Sequence, residues 1–154
     1  MRLEAPTEDQ QRVAAALGID ISRDTRDVAA GRIHTAVGPA ILSKRAKDPA
    51  SERQVELGKK IGIDVVGDSS LVASEKIGDR LFIINRAAAE KLQLKSGDRV
   101  RVRRRVEDGG ATEEHVEEFL VSSVQPNGRI MFKGGGCPGA WAGQVERIDA
   151  QVPD

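Results

Sequence analysis

Four arginines at alternate positions, Arg99, Arg101, Arg103 and Arg105, are the residues of this chain best placed to do chemistry, and that chemistry is neutralisation of a polyanion. Val100 and Val102 lie between them. Side chains of an extended strand alternate between its faces, so with the valines turned to a core the guanidiniums line the other face at about 7 Å spacing. A row of that pitch can follow a phosphate backbone, and each phosphate neutralised releases counterions. Glu113, Glu114, Glu117 and Glu118 follow after the hairpin signal Asp108-Gly109-Gly110. Opposite charges across two strands contribute roughly 0.2–1 kcal/mol per pair, so strand register decides how many arginines the acids answer.

A second candidate is the loop Gly134-Gly135-Gly136-Cys137-Pro138-Gly139, flanked by Lys133 and Trp141. Its glycines allow an anion-binding nest or a close backbone approach, and Trp141 offers a stacking platform. It lacks the Gly-Lys-Ser/Thr ending of a phosphate loop. The alternative reading is a wide structural loop with Trp141 packed on the core. Arg23, Arg26, Lys59 and Lys60 are further candidate phosphate contacts, set among Asp20, Asp24, Asp27, Asp64 and Asp68.

Bond-making chemistry has little to work with. Cys137 has no activating partner, because His34 and His115 fall in other elements. Two histidines and one cysteine show no metal-ligand spacing. The expectation is a non-enzyme with no catalytic residue, metal or cofactor.

The elements that must position these residues begin with a duplication. Gly62 to Ile77, GIDVVGDSSLVASEKI, repeats Gly18 to Ile33, GIDISRDTRDVAAGRI. At the same offset Thr7-Glu8-Asp9-Gln10 matches Ser51-Glu52-Arg53-Gln54, and both have the S/T-x-x-Q form of a capping box. Each box opens an amphipathic run that closes at Gly18 or Gly62, residues suited to the left-handed position after a helix. Asp24-Thr25 and Asp68-Ser69 supply N-cap chemistry for a second helix. The spacing predicts helices over residues 8–17, 25–37, 52–61 and 69–77, with Gly38-Pro39 kinking or ending the second and residues 40–47 adding a turn or two.

At Gly78-Asp79 the texture changes. Leu81 to Ile84 reads as a short buried strand and Arg86 to Leu92 as a short helix. Strands follow over residues 99–106, 113–124, 129–132 and 142–148. The expected fold class is α+β: tandem helix-link-helix repeats over residues 1–78 (7–33 and 51–77), then a small antiparallel SH3-like β-barrel over 79–154.

The repeated pattern of helix, glycine, extended link, polar cap and helix resembles the units of SAP-type domains, and Gly18 to Ile33 and Gly62 to Ile77 carry the likeness. That resemblance implies binding, commonly of DNA, though LEM-type relatives bind proteins. The lysine usual just before the second helix is absent, with Arg26 and Ser70 near its place. A shorter stretch, Phe82-Ile83-Ile84-Asn85 through Leu94-Lys95-Ser96-Gly97-Asp98-Arg99-Val100, looks like the strand, short helix, Leu-x-x-Gly-Asp, strand pattern of AbrB-like regulators. Asn85 stands there in place of a typical proline.

The 154 residues hold one medium domain or two small ones, and with 3% aromatics the core must be aliphatic. Zero formal charge hides segregation: basic residues dominate residues 80–105 and acids dominate 107–118. One cysteine excludes an intrachain disulfide and fits a reducing compartment. No apolar leader or membrane-length run is present, so a cytoplasmic protein without membrane contact is expected. The leading expectation is a nucleic-acid-binding protein, DNA before RNA, and the alternative is a protein-interaction or assembly module.

Overall fold

The computed structural model describes residues 3–41, 48–134 and 139–148 of the chain. Among the described residues, four helices and a five-stranded antiparallel sheet make it a mixed α+β protein. It divides into two compact units, Met1–Leu81 and Phe82–Asp154.

In the first unit α1 (Glu8–Leu17) and α3 (Glu52–Ile61) start on reciprocal capping boxes. Thr7 Oγ1 accepts from the Gln10 amide at 3.2 Å while Gln10 Oε1 accepts from the Thr7 amide at 3.0 Å. Ser51 and Gln54 repeat this at 3.2 and 2.9 Å. Each glutamine then donates from Nε2 to the start of the following helix, Gln10 to the Arg26 carbonyl and Gln54 to the Ser70 carbonyl, both at 3.0 Å. One side chain therefore caps its own helix and ties it to the next. Gly18 and Gly62 close the two helices at φ 67° and 80°, where a Cβ would be strained. Replacing Ser51 by alanine removes one cap and should lower unfolding free energy by about 1 kcal/mol. Urea denaturation followed by circular dichroism measures it, and an unchanged midpoint would contradict the capping geometry.

The second helices are α2 (Arg26–Ile41) and α4 (Ser70–Leu92). Thr25 Oγ1 accepts from the Val28 amide and donates to Asp79 Oδ2 at 2.5 Å. Ser69 Oγ accepts from the Val72 amide and shares a 2.7 Å hydrogen bond with the Thr35 hydroxyl. The cap of each second helix is thus bonded to the body of the other. Small cores lie beside these contacts: Ala14, Ile21 and Ala29 with Ile19, and Val65, Ala73 and Ile77 with Val55, Ile61, Ile63 and Leu81.

Two expectations need correction. Gly38-Pro39 does not end α2, which continues to Ile41; so near a helix end, the proline's missing amide orphans a single carbonyl. Residues 42–47, with Lys44, Arg45 and Lys47, lie outside the described residues. The second correction is larger. Leu81–Ile84 is no strand: α4 runs unbroken for 23 residues, and the two units divide between Leu81 and Phe82, inside it and close to the change of texture at Gly78-Asp79. Asp79, buried, is satisfied by the Thr25 hydroxyl, so its polarity does not force the helix to stop. The strand that an AbrB-like pattern requires over Phe82–Asn85 is helical.

The second unit packs the end of α4 on the inner face of a sheet built from β1 (Arg99–Asp108), β2 (Ala111–Val124), β3 (Arg129–Phe132), β4 (Ala140–Trp141) and β5 (Val145–Arg147). Val100, Val102, Val121, Ile130, Phe132, Ala140 and Val145 form its core with Ala89. The Phe119 and Phe132 rings stack at 4.6 Å beside it. Strand order is β4-β3-β2-β1-β5 and the sheet is not closed, so the expected barrel is corrected to a sheet with two edges. Residues 142–144, expected in the last strand, form a 3-10 turn between those edges. The step from Trp141 to Val145 spans at most about 14 Å, so the sheet must curl until its edges approach there. β4 and β5, two and three residues long, do not pair with one another.

Candidate nucleic-acid interface

Burial of Val100 and Val102, at 0% and 1% exposure, places Arg99, Arg101, Arg103 and Arg105 on the face of β1 away from the core. The turn joining β1 to β2 is two residues long, with Gly109 and Gly110 at φ 57° and 92°. Both positive angles suit the hairpin turn whose twist matches paired strands. It fixes the register: Arg99 faces Leu120, Arg101 faces Glu118, Arg103 faces Val116 and Arg105 faces Glu114. Glu113 and Glu117 face Val106 and Val102, so they fall on the opposite face from the arginine row. Two of the four glutamates on β2 are removed from the contest by geometry.

Those that remain hold the row loosely. Glu118 stands 3.6 Å from Arg101, and Glu146, brought by β5, accepts from Arg103 at 3.2 Å. All four side chains are 40–57% exposed, and pairs in such a setting contribute about 0–1 kcal/mol. A phosphate can displace them. Arg99 and Arg105 have no ion-pair partner among the described residues. Arg104 lies on the other face, opposite His115.

The same outer face carries cations that continue the row across the sheet. Lys133, exposed just after β3, donates its amide to the Leu120 carbonyl at 2.9 Å, and Leu120 stands opposite Arg99. Arg129 and Trp141 are register partners that alternate with the buried Ile130 and Ala140. The Arg129 guanidinium lies 5.8 Å from the centre of the Trp141 ring, within cation–π range. Trp141 is 40% exposed rather than sunk in the core. Gly134 is exposed at φ 101°. Gly135, Gly136 and Cys137 lie outside the described residues. Arg129 and Glu146 were not legible as members of this surface, because both enter it through strand pairings distant in sequence.

The helical candidates are dispersed and partly committed. Arg26 pairs with Glu4 at 2.6 Å. Arg32 and Lys76 pair with Asp24 and Asp68 at 2.6 and 2.8 Å, and the hydrogen bond to Asp24 raises the Arg32 pKa further. Asp20 accepts from the Ser22 amide; hydrogen bonds from Ser22 hold its carboxyl below the usual range. Arg23 is exposed in the link after α1, and Lys59 and Lys60 are exposed in the last turn of α3, where the helix dipole favours positive charge. His34 is exposed and borders a groove with Asp27, Leu71 and Glu75. Among the described residues no His, Cys, Asp or Glu cluster could hold a metal ion, and no helix is long and apolar enough to cross a membrane. No family model, curated protein or solved structure matches the chain.

Proposed function

We propose that the protein binds nucleic acid, DNA before RNA, through the outer face of its sheet, without catalysing a reaction. The register of β1 on β2 carries this reading, because it gathers four arginines on one solvent-facing row and sends Glu113 and Glu117 to the other side. Arg99, Arg101, Arg103, Arg105 and Lys133 supply phosphate contacts. Trp141, braced by Arg129, supplies a stacking surface for a base. The binding is electrostatic, salt-dependent and modest in sequence preference, since none of these groups is arranged to read base edges.

The two helix-link-helix segments are read as copies of one SAP-like unit, supported by their matched capping boxes, left-handed glycines and internal ion pairs. The curled sheet, with a 3-10 turn joining its edge strands, is read as an open relative of the SH3-like barrels. Arg23, Lys59 and Lys60 are the helical unit's phosphate contacts in this reading. Fluorescence anisotropy at low salt with labelled single- and double-stranded oligonucleotides tests it: saturable binding that weakens steeply with added salt is expected, and no binding to either would remove the proposal.

A protein-interaction role is the second reading. Val106 and Val116 are 43% and 48% exposed on the outer part of the β1–β2 hairpin, which extends past the pairings of β3 and β5. A pull-down from nuclease-treated lysate distinguishes the two, because only a protein partner survives the nuclease.

A further inference from the structure

Pairing between β5 and β1 stops at Val102 opposite Val145. Beyond it the arginine strand runs on with that edge uncovered, while the chain on the β5 side has turned away into the 3-10 turn at Ala142–Gln144. Between them opens a cleft of about 500 Å³ lined by Arg103, Arg105, Gly143, Gln144, Val145 and Glu146. Its volume falls within the range of small-ligand sites, and its wall is cationic. Among the described residues Arg105 has no ion-pair partner and Arg103 pairs with Glu146 alone, at 3.2 Å. A Cβ built at Gly143 would meet nothing within 4 Å, so the glycine leaves the space beside it open.

We infer that this cleft is a phosphate site seating one phosphodiester group of a bound strand. The inference rests on the nucleic-acid reading and gives it a location. Arg105 is the anion anchor, its planar fork suited to two phosphate oxygens. Glu146 is an internal competitor: while it holds Arg103 the cleft has one free guanidinium, and when a phosphate enters Arg103 exchanges its carboxylate for the ligand. The acid thereby lowers affinity for weakly charged anions and lets a polyanion, which can supply the exchange, bind in preference. Trp141 is the chain's single tryptophan, and its amide donates to Gln144 Oε1 at 3.3 Å, so its fluorescence reports on the cleft wall.

The test compares wild type with Arg105→Gln, Glu146→Gln and Gly143→Leu, with circular dichroism confirming that each is folded. The probes are a fluorescent 12-residue oligothymidylate, read by anisotropy, and sodium tripolyphosphate, read by Trp141 fluorescence and by the arginine Nε–H signals in NMR. Losing Arg105 should weaken oligonucleotide binding about 5- to 10-fold, and freeing Arg103 through Glu146→Gln should strengthen it by a similar factor. Gly143→Leu, which changes no charge, should weaken it through occupancy alone. Oligonucleotide binding that ignores all three substitutions would overturn the cleft while leaving the nucleic-acid reading standing. Tripolyphosphate shifts that depend on Arg105 and are blocked by Gly143→Leu, without oligonucleotide binding, would uphold the phosphate site and remove the nucleic-acid reading. Silence with both probes would overturn the site.

Discussion

A protein in which Arg99, Arg101, Arg103 and Arg105 are all replaced by glutamine should bind an oligonucleotide on the order of 100- to 1,000-fold more weakly near 0.1 M salt, while remaining folded. Each phosphate neutralised releases about 0.7 counterion from a single strand and about 0.9 from a duplex, which near 0.1 M amounts to roughly five- to eightfold in affinity per contact. Three or four lost contacts compound to the stated range. The fold should tolerate the change because these positions lie on the outer face, and glutamine keeps a long polar side chain there. The two ion pairs that disappear, Arg101 with Glu118 and Arg103 with Glu146, are solvent-exposed, so their joint loss costs at most about 2 kcal/mol. Anisotropy gives the affinity and a thermal melt gives the control. A folded variant with wild-type affinity would show that the row is not the binding surface.

Replacing Gly128 by alanine should destabilise the second unit by about 2 to 5 kcal/mol. Two independent costs meet at this residue. Its φ of 84° lies in the left-handed region, which costs an L-residue roughly 1–2 kcal/mol. A Cβ there would also drive into the backbone of α4, colliding with the Asn85 carbonyl and coming within 2.9 Å of the Arg86 amide nitrogen. Backbone cannot swing aside as a side chain can, so the turn between β2 and β3 must lift from the helix, an overpacking cost of about 1–3 kcal/mol. Urea denaturation should show the loss directly. A change below about 0.5 kcal/mol would mean that the turn does not rest on α4 as described.

Local rules made the first and third helices legible to the residue. Thr7 and Ser51 open them and Gly18 and Gly62 close them, through contacts spanning no more than five positions in the chain. The same locality misled at α4. Leu81-Phe82-Ile83-Ile84 is an unbroken apolar run, which a buried strand and a helix share, and the preceding Gly78-Asp79 read as a change of texture. Burial shows which period operates: Ala73, Ile77 and Leu81 pack into one core at four-residue spacing, and Ile83 is 44% exposed. What keeps Asp79 inside a helix is the Thr25 hydroxyl, a partner far away in sequence.

The candidate surface divides in the same way. Period-two alternation was enough to line up the four arginines, and the two-residue turn at Gly109-Gly110 contains the register that separates Glu113 and Glu117 from them. The remaining members depend on pairings between distant segments. Glu146 reaches Arg103 only because β5 lies beside β1, and Arg129 reaches Trp141 only because β4 lies beside β3.

The dependence of oligonucleotide affinity on salt, measured side by side for wild type and the four-glutamine variant, tests the central claim most directly, because a slope counts displaced ions whatever the absolute affinity. If the arginine row lies along a phosphate backbone, the wild-type plot of log K against log salt for a single strand should be steeper by about 3. Parallel lines would contradict the account, since they would mean that none of those guanidiniums meets a phosphate.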